Sequence, residues 1–383
     1  MQKFCKCPDG GTDLGRPDRI RKFAPKGFGY SRRKMSDRFQ ELVEVERMAA
    51  QLRARKPGSI RLKVDVLDEI ACGSSRFPIY AFELGSPDPE APVLAFFGGV
   101  HGLERIGSQV VISYLGNVIE RVDWDESLHW LLERVRLLVL PIVNPGGMHL
   151  HRRSNPRGVD LMRNAPVDSL ESTWLLGGQR ITRHLPWYRG EQDQLERESE
   201  ALCKWVEARS FESRFALWID VHSGFGRVDR FWFPYAKSRD PFPRLPEVMA
   251  LKRLLDRAYP HHVYRLEPQA LNYVTHGDLW DYLFDRQREL KGESGGLMLP
   301  FTLEMGSWAW VRKNPWQLFS FAGPFNPIKP HRQRRVLRRH LILMDFLLRA
   351  AASHERWLPS SEGIERSELE REARGLWYPG IRV

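Results

Sequence analysis

Cysteine is scarce: the 383 residues hold four, Cys5, Cys7, Cys72 and Cys203. So few cannot staple a chain of this length, and a disulfide framework is excluded. A reducing, cytoplasmic location fits best. Cys5 and Cys7 could contribute to a metal site, but no second pair lies nearby. Long apolar runs are also lacking. None approaches the ~20 residues of a membrane-spanning helix, so no membrane partner is expected. The basic start has no apolar stretch behind it, which argues against a secretory signal. Pro8, Gly10, Gly11, Gly15 and Pro17 would break a targeting helix there. Internal repeats are absent.

The formal charge of +11 invites a nucleic-acid reading. Its distribution argues against one. Residues 1–34 carry ten Lys/Arg against three Asp, a net +7, which leaves +4 for the rest. Met35 follows this patch and opens an ordinary helical pattern. Residues 1–34 are therefore expected to be a disordered extension, or to precede a native start at Met35. No nucleic-acid partner is expected. A catalytic domain is expected over 35–355, with a charged, solvated helix and tail over 356–383.

Along that domain, apolar spacing predicts a helix over 36–55 with Ser36 as its N-cap. Strands are expected over 60–70 and 77–84, then at 93–97, 135–143, 216–221, 230–234 and 298–303. Helices are expected after Arg105 and over 128–134, 192–210, 245–259 and 334–352. Residues 148–190 read as a long polar loop, and such a loop inside a compact domain is usually functional or disordered. Strands alternating with helices imply an α/β fold: a mostly parallel or mixed central sheet with helices on both faces.

The stretch Pro92–Glu104, PVLAFFGGVHGLE, carries the most information. It is an apolar run broken by two glycines, after which come His101 and Glu104. Asn144, His222 and Glu304 likewise lie just beyond predicted central strands. If those strands are parallel, His101, Asn144, His222 and Glu304 all open onto one edge of the sheet, where ligands bind in open α/β sheets. A catalytic zinc takes three protein ligands and keeps a fourth position for water. His101, Glu104 and His222 form such a His₂Glu set. Zinc brings the pKa of its water towards neutrality and polarises a carbonyl. A separate carboxylate must then shuttle the proton, and Glu304 is the natural candidate. An arginine can stabilise the tetrahedral intermediate; the loop offers Arg152, Arg153, Arg157 and Arg163. Each feature has a bland alternative: a capping histidine, an ion-paired glutamate, solvated arginines. It is their coincidence that points to a zinc hydrolase.

The sequence resembles the zinc carboxypeptidase family. GGVHGLE (98–104), PIVNPGG (141–147), GVDLMRN (158–164), DVHSG (220–224), YVTHGDLWD (273–281) and FTLE (301–304) occur in the family's order and at about its spacings. The resemblance implies the zinc carboxypeptidase-like (phosphorylase/hydrolase-like) fold and one Zn²⁺ per chain on His101, Glu104 and His222. It implies Glu304 as general base and acid. Arg152 best matches the arginine that polarises the scissile carbonyl, with Arg153 as the neighbouring possibility. Arg163 matches the partner of the substrate's terminal carboxylate, where a bidentate fork suits the group. Tyr273 matches the tyrosine that closes over substrate.

Two departures bear on the substrate. Met162 stands where the family usually has Asn, and a thioether cannot donate the amide hydrogen bond that helps fix a carboxylate. Trp280 falls where the family's specificity pocket has its selecting residue, which would shrink or reshape that pocket. The expected activity is hydrolysis of an amide bond next to a free carboxylate, in the simplest case by a metallocarboxypeptidase acting on peptides. A deacylase of N-acyl amino acids and a murein peptide amidase are alternatives on the same fold. A non-catalytic zinc- or peptide-binding protein is the alternative of another class. The oligomeric state is open.

Overall fold

Eight strands form one mixed sheet in the order β1-β2-β4-β3-β5-β8-β6-β7. They are β1 (Arg61–Cys72), β2 (Ser75–Gly85), β3 (Val93–Gly98), β4 (Arg136–Leu140), β5 (Phe215–Ser223), β6 (Arg230–Phe233), β7 (Arg265–Pro268) and β8 (Leu297–Met305). The helices are α1 (Gln40–Arg53), α2 (Arg105–Arg121), α3 (Glu126–Leu132), α4 (Pro145–His149), α5 (Arg197–Ser210), α6 (Leu245–Ala258), α7 (Leu279–Lys291), α8 (Trp308–Lys313), α9 (Pro330–Ala352) and α10 (Ile364–Trp377). This computed structural model describes residues 38–380 except 56, 57, 59, 172, 174, 293, 294 and 321. The expected extension 1–34, Cys5, Cys7 and the Ser36 cap lie outside the described residues. No helix among the described residues is long and apolar enough to cross a membrane.

The centre of the sheet is parallel: β4, β3, β5 and β8 run the same way. β2 on one side and β6 with β7 on the other run opposite to them, and edge strand β1, antiparallel to β2, runs with the centre again. Every residue of β3, β4 and β5 is buried. Their unbroken apolar runs therefore have the cause expected, since parallel strands are covered on both faces. Helices α2 and α9 pack on each other and over β3 and β5, while α5 packs against β1 and α7 against β8. Gly107 lets α2 approach β5 closely: a Cβ there would sit 2.2 Å from the carbonyl oxygen of Val221.

Elements α4, β7, α7 and α8 add to those expected, and two expectations are corrected. Asn144 does not open onto the ligand edge. It is fully buried and accepts the amide of Gly147 at 2.7 Å, capping α4. Asn followed by Pro at the first helical position is a helix start, and here that role prevails. The C-terminal helix is not solvated all round either. Leu369, Ala373 and Trp377 of α10, spaced four apart, are buried, and α10 packs on α6. Among so many charges this narrow stripe is easily overlooked.

Candidate metal centre and substrate pocket

The parallel register brings the strand ends together. Gly98 pairs with Val221, and His222 pairs with Glu304 on the next strand. The chain then turns at Gly99, and His101 and Glu104 come down beside His222. All three side chains are buried. His101 Nδ1 lies 2.9 Å from Glu104 Oε1. His222 Nδ1 lies 3.0 Å from Glu104 Oε2 and 3.2 Å from His101 Nδ1. Their ligand atoms all lie within 4.8 Å of one another, the one such group of three or more among the described residues.

The outer ring nitrogens show what this cluster suits. His101 Nε2 is 2.9 Å from Asp160 Oδ1, and His222 Nε2 is 2.6 Å from Asp220 Oδ2. A carboxylate accepts only, so each imidazole presents its Nε2–H outward. Both Nδ1 lone pairs then face each other and a carboxylate. With both imidazoles neutral, three acceptors converge, an arrangement that calls for a cation among them, a metal ion or in its place a proton. Histidines whose second nitrogen is held by a carboxylate are the usual metal-binding arrangement. The donor set fits zinc.

Charge states follow from the same contacts. Burial opposes ionisation of Glu104, but the His101 and His222 imidazoles outweigh it and hold its carboxyl below the usual range. Burial likewise works against Asp160, yet Arg153 and His101 keep it well below its ordinary value. Burial alone would lower His222; Asp220 and Glu104 instead raise it well above the ordinary imidazole. Glu304 goes the other way. Burial first, and the charge of Glu104 second, push its carboxyl up to about 8. It accepts the Phe225 amide at 2.8 Å.

These groups open into a cavity of ≈ 390 Å³, lined also by Arg153, Met162, Arg163, Trp232, Gln269, Asn272, Tyr273 and Thr302. Glu104 and Glu304 are its only carboxylates. Arg163 is buried, and its Nε has no hydrogen-bond partner. An uncommitted buried guanidinium N–H costs free energy unless an anion or acceptor meets it. Gly277, at φ +69°, holds this arginine's backbone in place: a Cβ there would lie 1.9 Å from the Arg163 carbonyl oxygen. Tyr273 forms a triangle of rings with Phe225 and Trp232, whose centres lie 5.5 and 5.8 Å from its own. The Arg163 guanidinium is 5.9 Å from its ring centre. Burial pushes its phenol up to about 12, so it stays a neutral donor.

Two expected positions are corrected. Arg152 is exposed and does not line the cavity; Arg153 does. Arg153 donates to Glu104 Oε1 at 3.0 Å and Asp160 Oδ2 at 2.8 Å. His151 takes a positive φ in the preceding turn, so which arginine points inward is set by the turn's geometry. Trp280 does not line the cavity either. It is 3 % exposed, its ring packs on Phe97 at 4.6 Å, and its Nε1 donates to Asp220 Oδ2 at 2.9 Å. Asp278 caps α7 and turns this first-turn side chain under the sheet. Asp160 and Asp220 are the groups that reading for ligands passed over. Asp220 carried a signal, since residues two apart on a strand share a face. Asp160, 59 residues from His101, carried none.

The zinc carboxypeptidase family profile matches residues 72–308. The chain belongs to the zinc carboxypeptidase family. Carboxypeptidase SOL1 of Arabidopsis thaliana is 22 % identical over 255 residues, 65 % of this chain and 48 % of that protein. The human carboxypeptidase N catalytic chain is 25 % identical over 170 residues, 40 % of this chain and 35 % of that one. The chain thus spans half or less of the curated relatives it matches. Among solved structures, bovine thrombin-activatable fibrinolysis inhibitor, in complex with tick carboxypeptidase inhibitor, superposes with TM-score 0.57 at 15 % identity. That match covers 88 % of this chain and 99 % of the other. Carboxypeptidase A from Helicoverpa armigera gives TM-score 0.57 at 17 % identity, over 82 % and 72 %. At these identities the structures establish a shared zinc carboxypeptidase fold.

Proposed function

We propose that the protein hydrolyses amide bonds next to a free carboxylate, in the simplest case as a metallocarboxypeptidase acting on peptides. One zinc per chain would be held by His101, Glu104 and His222. The observation that carries this reading is the cavity. A His₂Glu acceptor set, a further carboxylate and a buried arginine that keeps an uncommitted N–H line one cavity open to solvent.

Bound zinc supplies Lewis acidity, polarising a carbonyl and acidifying water. Glu304 takes a proton from the attacking water and delivers it to the leaving amine. Arg153, in the role expected of Arg152, donates to the oxygen of the scissile carbonyl as charge builds there. Arg163 pairs with the substrate carboxylate, and Tyr273 beside it donates its phenolic hydrogen. Met162 cannot supply the amide donor usual beside Arg163; the side-chain amides of Gln269 and Asn272 in the same cavity take that part. Asp160 and Asp220 fix the imidazole tautomers, and Trp280 holds Asp220. Met162 also favours a second reading, deacylation of N-acyl amino acids, because an apolar wall suits an acyl chain. From the use of cysteine alone, the location is a reducing one, the cytoplasm.

Zinc analysis combined with a panel of peptides, muropeptide fragments and N-acyl amino acids tests the proposal. Turnover of one class together with about one zinc per chain supports it and selects the substrate. Stoichiometric zinc with no turnover of any class would leave a binding protein and overturn it.

A further inference from the structure

From Met305 to Met344 the chain has no Asp or Glu, yet it carries Arg312, Lys313, Lys329, Arg332, Arg334, Arg335, Arg338 and Arg339. This +8 stretch is hidden when charge is averaged over everything beyond residue 34. Arg312 and Lys313 end α8, the others lie on or just before the first half of α9, and Lys313, Arg332, Arg335 and Arg339 meet at one surface. A depression of ≈ 470 Å³ there is lined by Arg227, Lys313, Arg332, Arg335 and Arg339, with Asp229 its only carboxylate. Arg339 pairs with Asp229 at 2.8 Å, and Arg332 donates to the carbonyls that end α8. Lys313, Arg334, Arg335 and Arg338 are exposed and have no carboxylate partner among the described residues. Cations gathered without counter-charges repel one another, so the surface is built at a cost that an anionic partner would offset.

Between α8 and α9, the turn Pro315–Phe319 displays Trp316 and Phe319, 78 % and 85 % exposed, with Leu318 beside them. The turn is not loosely held. Its central Gln317 is buried and donates to the Gly323 carbonyl at 2.7 Å. A pinned turn that points large apolar side chains at solvent marks an interaction site rather than an incidental exposure. Two partner chemistries combine aromatics with cations: single-stranded nucleic acid and an anionic lipid surface. Leu318 and the exposed Ile328 have no π face for a base. The Trp316 and Phe319 rings, 5.8 Å apart, are tilted at 36° to each other and so form no parallel platform for successive bases. Both features suit insertion among lipid headgroups, where apolar side chains and neighbouring cations act together.

We propose that the Trp316–Phe319 turn and the cationic half of α9 dock this protein peripherally on an anionic phospholipid surface. Phe325, between the two elements, also lines the catalytic cavity, so the docking face adjoins the substrate opening.

The test is co-sedimentation of the full chain with phosphatidylcholine vesicles and with mixed phosphatidylcholine–phosphatidylglycerol vesicles. The native chain should bind the mixed vesicles, weakening as salt rises, and leave phosphatidylcholine alone. Two variants, Trp316→Ser with Phe319→Ser, and Arg334→Glu with Arg335→Glu and Arg338→Glu, should each lower partitioning at least ~10-fold. All five residues are exposed, so both variants should keep the native melting temperature. Residues 1–34 are the same in every protein, so a difference between them reads this patch. Undiminished binding by either variant would overturn the proposal. So would failure of the native chain to bind, or capture of a single-stranded oligonucleotide in place of lipid.

Discussion

The cavity has two walls of different origin. The metal wall, the side proposed to hold zinc, comes from the ends of β3, β5 and β8, whose register fixes His222 beside Glu304 before any loop is considered. The substrate wall comes from loop residues, Arg153, Met162, Arg163 and Tyr273, held by turns and by single contacts such as Gly277 against Arg163. Strand ends place groups by backbone pairing, a property of the whole sheet. Loops place them one hydrogen bond at a time. The metal wall should therefore be the conservative half of the site, and the loop wall the half where substrate preference is decided.

The largest effect separates chemistry from metal holding. Glu304→Gln should lower kcat by about 10²–10⁴-fold with zinc content unchanged. Metal analysis beside steady-state kinetics checks this, and retained activity would remove Glu304 from its role.

Next comes the frame beneath the metal wall. His340 of α9 is buried beside Tyr264, and burial lowers its pKa to about 4, with Asp229 partly opposing. The unfolded chain, with an ordinary value of 6.5, binds the extra proton between those two limits. This contribution is present above about pH 6.5 and is lost as the pH falls towards 4, by about 3 kcal/mol in all. Denaturant titrations across that window should show a shallower slope for His340→Gln. Equal slopes would contradict the assignment.

On the loop wall, Arg163→Gln removes a charge-assisted pair worth roughly 1.5–3 kcal/mol. It should lower kcat/KM roughly 10- to 100-fold for substrates with a free carboxylate, leaving zinc affinity unchanged. A matching loss of zinc would show that the walls are not separable.

The smallest effects lie behind the ligands. Asp220→Asn should weaken zinc binding by about 10–100-fold. Trp280→Phe, which keeps the ring and loses the N–H, should weaken it by less than ~10-fold, since it acts through Asp220. Competition with a chelator measures both, and a Trp280→Phe effect equal to that of Asp220→Asn would contradict the order of layers.

The same contrast explains what could be read from sequence. The four central strands, and the placing of His101, Glu104, His222 and Glu304 at their ends, were legible because each group closely follows an apolar run, a local signal. Which arginine enters the cavity was not, because Arg152 and Arg153 are neighbours and a single turn decides between them. Trp280 misled because an aromatic near a pocket motif does not reveal which way a first-turn side chain faces. Asp160 is brought to His101 by a loop that leaves no periodic trace. The cationic face of α9 was masked by compensating charge elsewhere.

The central claim is that the cavity recognises a free carboxylate beside the bond it cleaves. Its most direct test is the ratio of kcat/KM, with zinc-loaded protein, for one peptide carrying a free C-terminus and the same peptide carrying a C-terminal amide. The account predicts a ratio of roughly 10-fold or more in favour of the free acid, set by its pairing with Arg163. Equal rates for the two would contradict it.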